Sequence, residues 1–233
     1  MNNSEDNIVW LPNAQQGLYS SLIETRHTVV FPWLVKTILQ RTPSSVLDYG
    51  AGDGFLLEQL RKVFDGELLY FDPSPAFETA ARRRLHNKDV VFYPSPQSLP
   101  QDRLDIIAST AVWMTIDTYE GCVEYLAAQH RALRPGGAAL ITVTHPCFRQ
   151  EKYSTFATQF KNEHYLEEGV PFVVSIFAKE KRIEFTDYHW NLSTMVRQAS
   201  DVGFRLRYLT ELADVADGNR RGAPWICLEF QKD

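Results

Sequence analysis

Cysteine is scarce in this chain. Its three residues, Cys122, Cys147 and Cys227, are odd in number and far apart among 233 positions. Such spacing supports neither a disulfide framework nor a zinc cluster, so no metal site is expected, and reduced thiols in a reducing compartment fit best. No stretch approaches the roughly 18 consecutive apolar residues of a membrane span. The opening "MNNSEDNIVWLPN" lacks the basic flank and apolar run of a signal peptide. A cytoplasmic location, with no membrane partner, is the expectation. Positive charge is also short: 24 Lys+Arg against 29 Asp+Glu leave a net charge of −5, and the longest basic tract is "RRR" at 82–84. Nucleic acid is therefore a poor candidate for the main partner. Repeats, low-complexity tracts and Gly/Ser-rich linkers are missing too, and the length suits one embellished domain, residues 1–233, better than two.

What is present is a globular composition, 44% hydrophobic and 12% aromatic, whose rings suggest a lined pocket or lid. Residues 13–40 place apolar side chains at Leu18, Leu22, Val29, Val30, Leu34, Ile38 and Leu39. That spacing reads as helix interrupted near Pro32, an N-terminal helical cap over residues 1–42. After "RTPSS" short apolar runs alternate with amphipathic stretches: "SVLDY", "ELLYF", "VVFY", "LDIIAS" and "AALITVT". Runs without polar alternation suit strands buried on both faces, so the fold class is α/β, a doubly wound parallel sheet of βαβ units. Ser74 can cap the second of the helices between strands with Pro75 at its first position, and "RPGG" at 134–137 is read as the end of the fourth. Beyond residue 145 the rhythm changes. "VPFVVSIF" and "RIEFTDYHW" read as a hairpin within an insertion, residues 145–190, followed by a last helix and two strands over 191–233. Ligands of open α/β sheets bind outside the carboxyl edge, which makes the insertion a substrate lid.

The first strand runs into "GAGDG" at 50–54. Glycine at all three positions permits positive φ and lets a ligand lie on the backbone; a plain strand-to-helix turn needs fewer. A P-loop would require Gly-Lys-Ser/Thr, and a dinucleotide fingerprint would need one more residue. Two carboxylates flank the turn. Asp48 ends the first strand, where it suits an ammonium or sulfonium cation and repels phosphate, and Asp72 ends the second strand, where it can accept both hydroxyls of a ribose. The alternative for the Asp of "DPSP" alone is a helix-capping Asx or surface role; paired with the glycine turn, the ligand reading is preferred.

Together "VLDYGAGDG", "YFDPSP", "RLDIIAS" and "ALRPGGAALITV" resemble the successive motifs of the class I S-adenosylmethionine-dependent methyltransferases, in order over residues 46–144. Residues 191–230 resemble that family's last helix and antiparallel strand pair. The resemblance implies a seven-stranded, mostly parallel Rossmann-like sheet with an antiparallel final strand, and S-adenosyl-L-methionine as cofactor. It assigns Gly50, Ala51, Gly52 and Gly54 to the floor under the methionine half, Asp48 to the turn and the amino group, Asp72 to the ribose diol and Pro73 to the neighbourhood of the adenine. The family's acidic residue after the third strand is replaced by "YPSPQSLP", which leaves Ser95, Pro96 and Gln97 for the adenine. Ser109 and Thr110 would approach the sulfonium, and Tyr19 would cover the cofactor.

Methyl transfer from an activated donor can run on positioning alone, so a general base is optional. His145 in "VTHPCF" and His189 in "DYHWNLS" are the candidates, each weighed against a hydrogen-bonded structural role; His27, His86 and His164 read as surface or lid residues without supporting context. Trp113, Tyr153, Phe156, Tyr165, Tyr188 and Trp190 could cage a flat or cationic acceptor, with core packing the alternative for each. The chain has "STAVWMT" where amide-clamping relatives carry Asp/Asn-Pro-Pro-Tyr/Phe. The expected reaction is methylation of an oxygen or nitrogen of a small-molecule metabolite. A methyltransferase-like binding or partner subunit without turnover, and a protein methyltransferase that docks its acceptor on the insertion, stay open as alternatives. So does the oligomeric state, a homodimer included.

Overall fold

The computed structural model describes residues 25–86, 88–153, 155–178, 181–214 and 222–233. A π-helical turn at Arg26–Val30 runs directly into helix α1, Phe31–Leu39. Pro32 does not interrupt the helix as its sequence suggests. The Phe31 N–H donates to the Arg26 carbonyl, five residues back, so the ladder widens just before the residue that has no donor to give. Phe31, Leu34 and Ile38 share the buried face of α1. Leu18 and Leu22 lie outside the described residues.

The chain then alternates β1 (Ser45–Tyr49), α2 (Phe55–Leu60), β2 (Glu67–Phe71), α3 (Pro75–Arg84), β3 (Val90–Phe92), β4 (Leu104–Thr110), α4 (Tyr119–Ala132) and β5 (Leu133–Thr144). β1 is buried along its whole length, as are residues 138–144 of β5. That is why these strands carry unbroken apolar runs: helices cover both faces. Each fully buried Leu or Ile contributes about 1.5–3 kcal/mol. Ser74 caps α3, accepting from the Phe77 N–H with Pro75 in the first turn. "RPGG" departs from expectation. α4 already ends at Ala132, Leu133 is extended, and the left-handed Gly136 (φ +77°) sits within β5, where the register against β4 shifts between Leu104 and Ile106.

After the insertion come β6 (Phe156–Thr158), β7 (Val170–Ala178), β8 (Lys181–His189), α5 (Leu192–Asp201), β9 (Phe204–Leu212) and β10 (Trp225–Lys232). The main sheet has seven strands in the order β3-β2-β1-β4-β5-β10-β9. β1 pairs in parallel with β2 and β4, whereas β10 runs antiparallel to both β5 and β9. This is the mostly parallel Rossmann-like arrangement with an antiparallel final strand that the motifs imply. The direction of winding reverses between β1 and β4, so a crevice opens at their carboxyl ends. Strands β6-β7-β8 form a separate antiparallel sheet with its own core of Tyr153, Phe156, Phe160, Phe172, Val174, Ile176 and Ile183. Among the described residues no helix is long and apolar enough to cross a membrane.

Candidate active site

The crevice between β1 and β4 holds a hollow of about 460 Å³, part of it open to solvent, whose floor is Asp48, the turn Gly50 to Asp53, and Thr110. All three glycines of the turn are left-handed, with φ of +77°, +54° and +79°. They are not equivalent. A Cβ on Gly50 would come within 2.3 Å of Val112 Cγ2, and one on Gly54 within 2.9 Å of Leu85 Cδ1, whereas one on Gly52 would meet nothing within 4 Å. Gly50 and Gly54 are thus demanded by the protein's own packing, and Gly52 alone turns bare backbone toward open space.

Asp72 shapes that turn from the tip of β2. Its Oδ2 accepts the Gly52 N–H at 2.8 Å and its Oδ1 the Ser74 N–H at 2.8 Å, while the Tyr70 hydroxyl donates to the Gly52 carbonyl at 2.7 Å. Burial pushes its carboxyl up to about 6, and the two backbone hydrogen bonds oppose the rise. Asp72 is therefore an Asx residue and a turn clamp at once. Each of its oxygens keeps a lone pair for a further donor.

Asp48 is the contrasting case. It is 4% exposed, and among the described residues nothing donates a hydrogen bond to it. Burial above all, then repulsion from Asp72 and Asp53, raises its carboxyl from 3.8 to about 8. Asp53 itself is paired with Arg84 at 2.7 Å. A buried carboxylate without a donor is costly. An ammonium or sulfonium group entering the hollow would supply the missing counter-charge, so the residues present fit S-adenosylmethionine.

The opposite wall is one the sequence did not disclose. Arg26, His27, Phe31, Phe55 and Phe77 line the hollow, His27 standing edge-on to Phe55 at 4.5 Å and to Phe31 at 5.5 Å. Burial, then the Arg26 charge, lowers His27 to about 4, which keeps the imidazole neutral. Its helical spacing to Phe31 was the signal available. Without knowledge that the π-helical turn before α1 lines the same hollow as the glycine turn, it read as a surface or lid residue.

Other expected contacts disperse. Thr110 reaches the hollow, but the fully buried Ser109 donates to the Tyr49 carbonyl at 2.8 Å and accepts from the Tyr125 hydroxyl at 2.8 Å, tying β4 to β1 and α4. Ser95 caps the short turn Pro96–Ser98, the Pro96 carbonyl accepts from Arg131 at 2.8 Å, and Pro73 and Gln97 are exposed. Tyr19 lies outside the described residues.

Both histidines put forward as bases are tied into structure. His145, 3% exposed, caps the turn that follows β5: its Nδ1 accepts the Cys147 N–H at 3.2 Å, so Nε2 carries the proton donated to Glu211 at 3.0 Å. His189 is wholly buried. Its Nδ1 accepts from Arg149 Nε at 3.1 Å and its Nε2 donates to the Tyr165 carbonyl at 2.9 Å; burial, then the Arg149 charge, lowers it to about 4. Neither lines the hollow. Nor do the proposed cage residues converge. Trp113 is in the main core, donating to Gln198 at 3.1 Å, and Trp190 donates to the Ile116 carbonyl at 3.0 Å. Tyr153 stacks on Phe156 in the second core, and Tyr188 alternates with Asp187 and His189 along β8, so it faces the other side of the hairpin.

Residues 22–207 match the profile of a methyltransferase domain. A curated relative, N-demethylindolmycin N-methyltransferase of Streptomyces griseus, is 23% identical over 167 residues, 68% of each chain. Among solved structures, an S-adenosylmethionine-dependent methyltransferase from Clostridium acetobutylicum superimposes with a TM-score of 0.65 at 12% identity, covering 94% of this chain and 95% of the other. One from Mesorhizobium loti gives 0.60 at 18% identity, over 81% and 90%. The matched domain spans most of the chain, and it contains the glycine turn, both carboxylates and the strand order around them: the protein belongs to the class I S-adenosylmethionine-dependent methyltransferase family.

Proposed function

We propose that the chain methylates an oxygen or nitrogen of a small-molecule metabolite, with residues 145–190 as a lid over the acceptor. The observation that carries the reading is the buried Asp48, to which nothing among the described residues donates, beside the bare backbone of Gly52. Asp48 receives the cofactor's ammonium group, Gly52 gives close access to the turn, Asp72 accepts the ribose hydroxyls with its remaining lone pairs, and Thr110 lies on the sulfonium side. When bound, the cofactor supplies a methyl group already activated on sulfur. The chain's own task is then to align donor and acceptor and to exclude water, so neither His145 nor His189 is needed as a base. The distant relative's name, which specifies transfer to a nitrogen of a small molecule, supports the acceptor class.

Two measurements test this. Calorimetric titration with S-adenosylhomocysteine should show one site; folded protein that binds none at millimolar ligand rejects the cofactor site. Incubation with methyl-labelled cofactor and a cell extract, split by size, should leave label in the small-molecule fraction, and label confined to protein overturns the acceptor class.

A further inference from the structure

Away from the glycine turn, two enclosed charged side chains each keep one polar atom unsatisfied among the described residues. Arg149, which follows the short turn after β5, is 2% exposed, and Asp187, on the inner face of β8, is 1% exposed. Arg149 uses Nε on His189 and Nη1 on the Thr144 hydroxyl at 2.9 Å. Among the described residues its Nη2 has no acceptor, and Oδ1 of Asp187 has no donor. The two groups attract each other through space, yet no hydrogen bond or ion pair joins them. The guanidinium lies 4.3 Å over the Phe172 ring, and His189 stacks on Phe160 at 4.3 Å.

Packing alone does not call for this arrangement. A buried charge that is incompletely paired is strongly destabilising, and an apolar side chain of the same volume would serve the fold better. Arg149 cannot escape by losing its proton, because burial lowers it only to about 10. Asp187 does have an escape: burial lifts it to about 7, against the pull of Arg149 and then Arg26. Arg26 lines the hollow beside the glycine turn, and Thr144 ends β5 at the carboxyl edge of the sheet. Arg149 is thus tied to Thr144, two residues beyond Thr142, which pairs with the hollow-lining Thr110, and it lies over Phe172, the cross-strand partner of Asp187.

We propose that Arg149 Nη2 and Asp187 Oδ1 anchor an amino-acid-like acceptor, the guanidinium taking its carboxylate and the aspartate its amine. This rests on the small-molecule methyltransferase reading and names the acceptor's class. A neutral compound gives Arg149 no counter-charge, a simple amine is repelled by Arg149, and a simple acid leaves Asp187 Oδ1 without a donor. The zwitterion satisfies both.

The test uses the whole chain saturated with S-adenosylhomocysteine, with thermal shift and calorimetry as readouts. The probes are the standard amino acids, matching amines without the carboxylate and matching acids without the amine. At least one amino acid should bind roughly tenfold or more tighter than either of its halves, and Asp187→Asn and Arg149→Met should each weaken it at least tenfold while S-adenosylhomocysteine still binds. If Arg149→Met fails to fold, the near-isosteric Asp187→Asn decides. No response to any amino acid, halves that bind as well as the whole, or variants that respond as the parent does would overturn the proposal and leave the pair as charges bridged by water. Failure of the parent to bind S-adenosylhomocysteine would instead reject the cofactor site, a separate outcome.

Discussion

The Asp72 carboxylate accepts the Gly52 N–H at 2.8 Å, so a residue at the tip of β2 holds the shape of a turn that leaves β1. The same side chain starts α3 through the Ser74 N–H. Asp72→Ala removes both acceptors at once and leaves buried donors, each costing about 1–3 kcal/mol. The expected result is a melting temperature lower by several degrees together with loss of S-adenosylhomocysteine binding. Unchanged binding in calorimetry would mean that Asp72 serves the fold alone.

Gly50 and Gly52 should respond to alanine in opposite ways. Gly52→Ala meets no neighbour and carries only the left-handed strain, about 1–2 kcal/mol, but its methyl enters the open space that a ligand needs. Gly50→Ala adds an overlap with Val112, about 1–3 kcal/mol of overpacking on top of the strain. Urea unfolding should rank Gly50→Ala as the less stable. Calorimetry should find the larger specific loss of S-adenosylhomocysteine affinity in Gly52→Ala.

Asp48 should make stability fall as the solution becomes alkaline. Its carboxyl is raised in the folded state, so the fold holds a proton that the unfolded chain has released. That contribution is complete below about pH 4 and is lost as pH rises through about 8. Asp72, raised to about 6, acts in the same direction; Asp53, paired with Arg84, and the neutral His27 are the other nearby groups. Asp48→Asn should flatten the urea-unfolding profile between pH 5 and 8 and weaken S-adenosylhomocysteine. A profile identical to that of the parent would show that Asp48 does not carry the effect.

Changes at the two histidines should act on stability and not on the pH dependence of transfer. His145→Asn keeps an acceptor for the Cys147 N–H and loses the Glu211 contact, so a modest drop in melting temperature is expected with labelled-methyl transfer within about fivefold of the parent. His189→Ala strips a partner from the buried Arg149 and should cost more, about 1–3 kcal/mol. A pH–rate profile that loses its acidic limb in either variant would identify a base after all.

Much of the fold was legible because its causes are local. The unbroken apolar runs of β1, β4 and β5 announce strands covered on both sides, and the capped start of α3 is written in "DPSP". The glycine turn and its two carboxylates were legible for the same reason: each carboxylate lies within one residue of the end of its own strand. Pro32 and "RPGG" misled, since a widened π turn absorbs a missing donor and a strand register shift absorbs a left-handed glycine, and neither event has a local signature.

The sequence by itself determined the succession of strands and helices, the glycine turn and the carboxylates beside it, because period and run length depend on neighbours along the chain. Tertiary structure alone decided that Gly50 and Gly54 answer to Val112 and Leu85, that His27 faces the hollow while His145 and His189 do not, and that Arg149 and Asp187 are buried near each other without pairing. Those outcomes depend on partners tens of residues away. Whether a polar side chain is spare or spent is set by which distant donor or acceptor arrives beside it once the layers close.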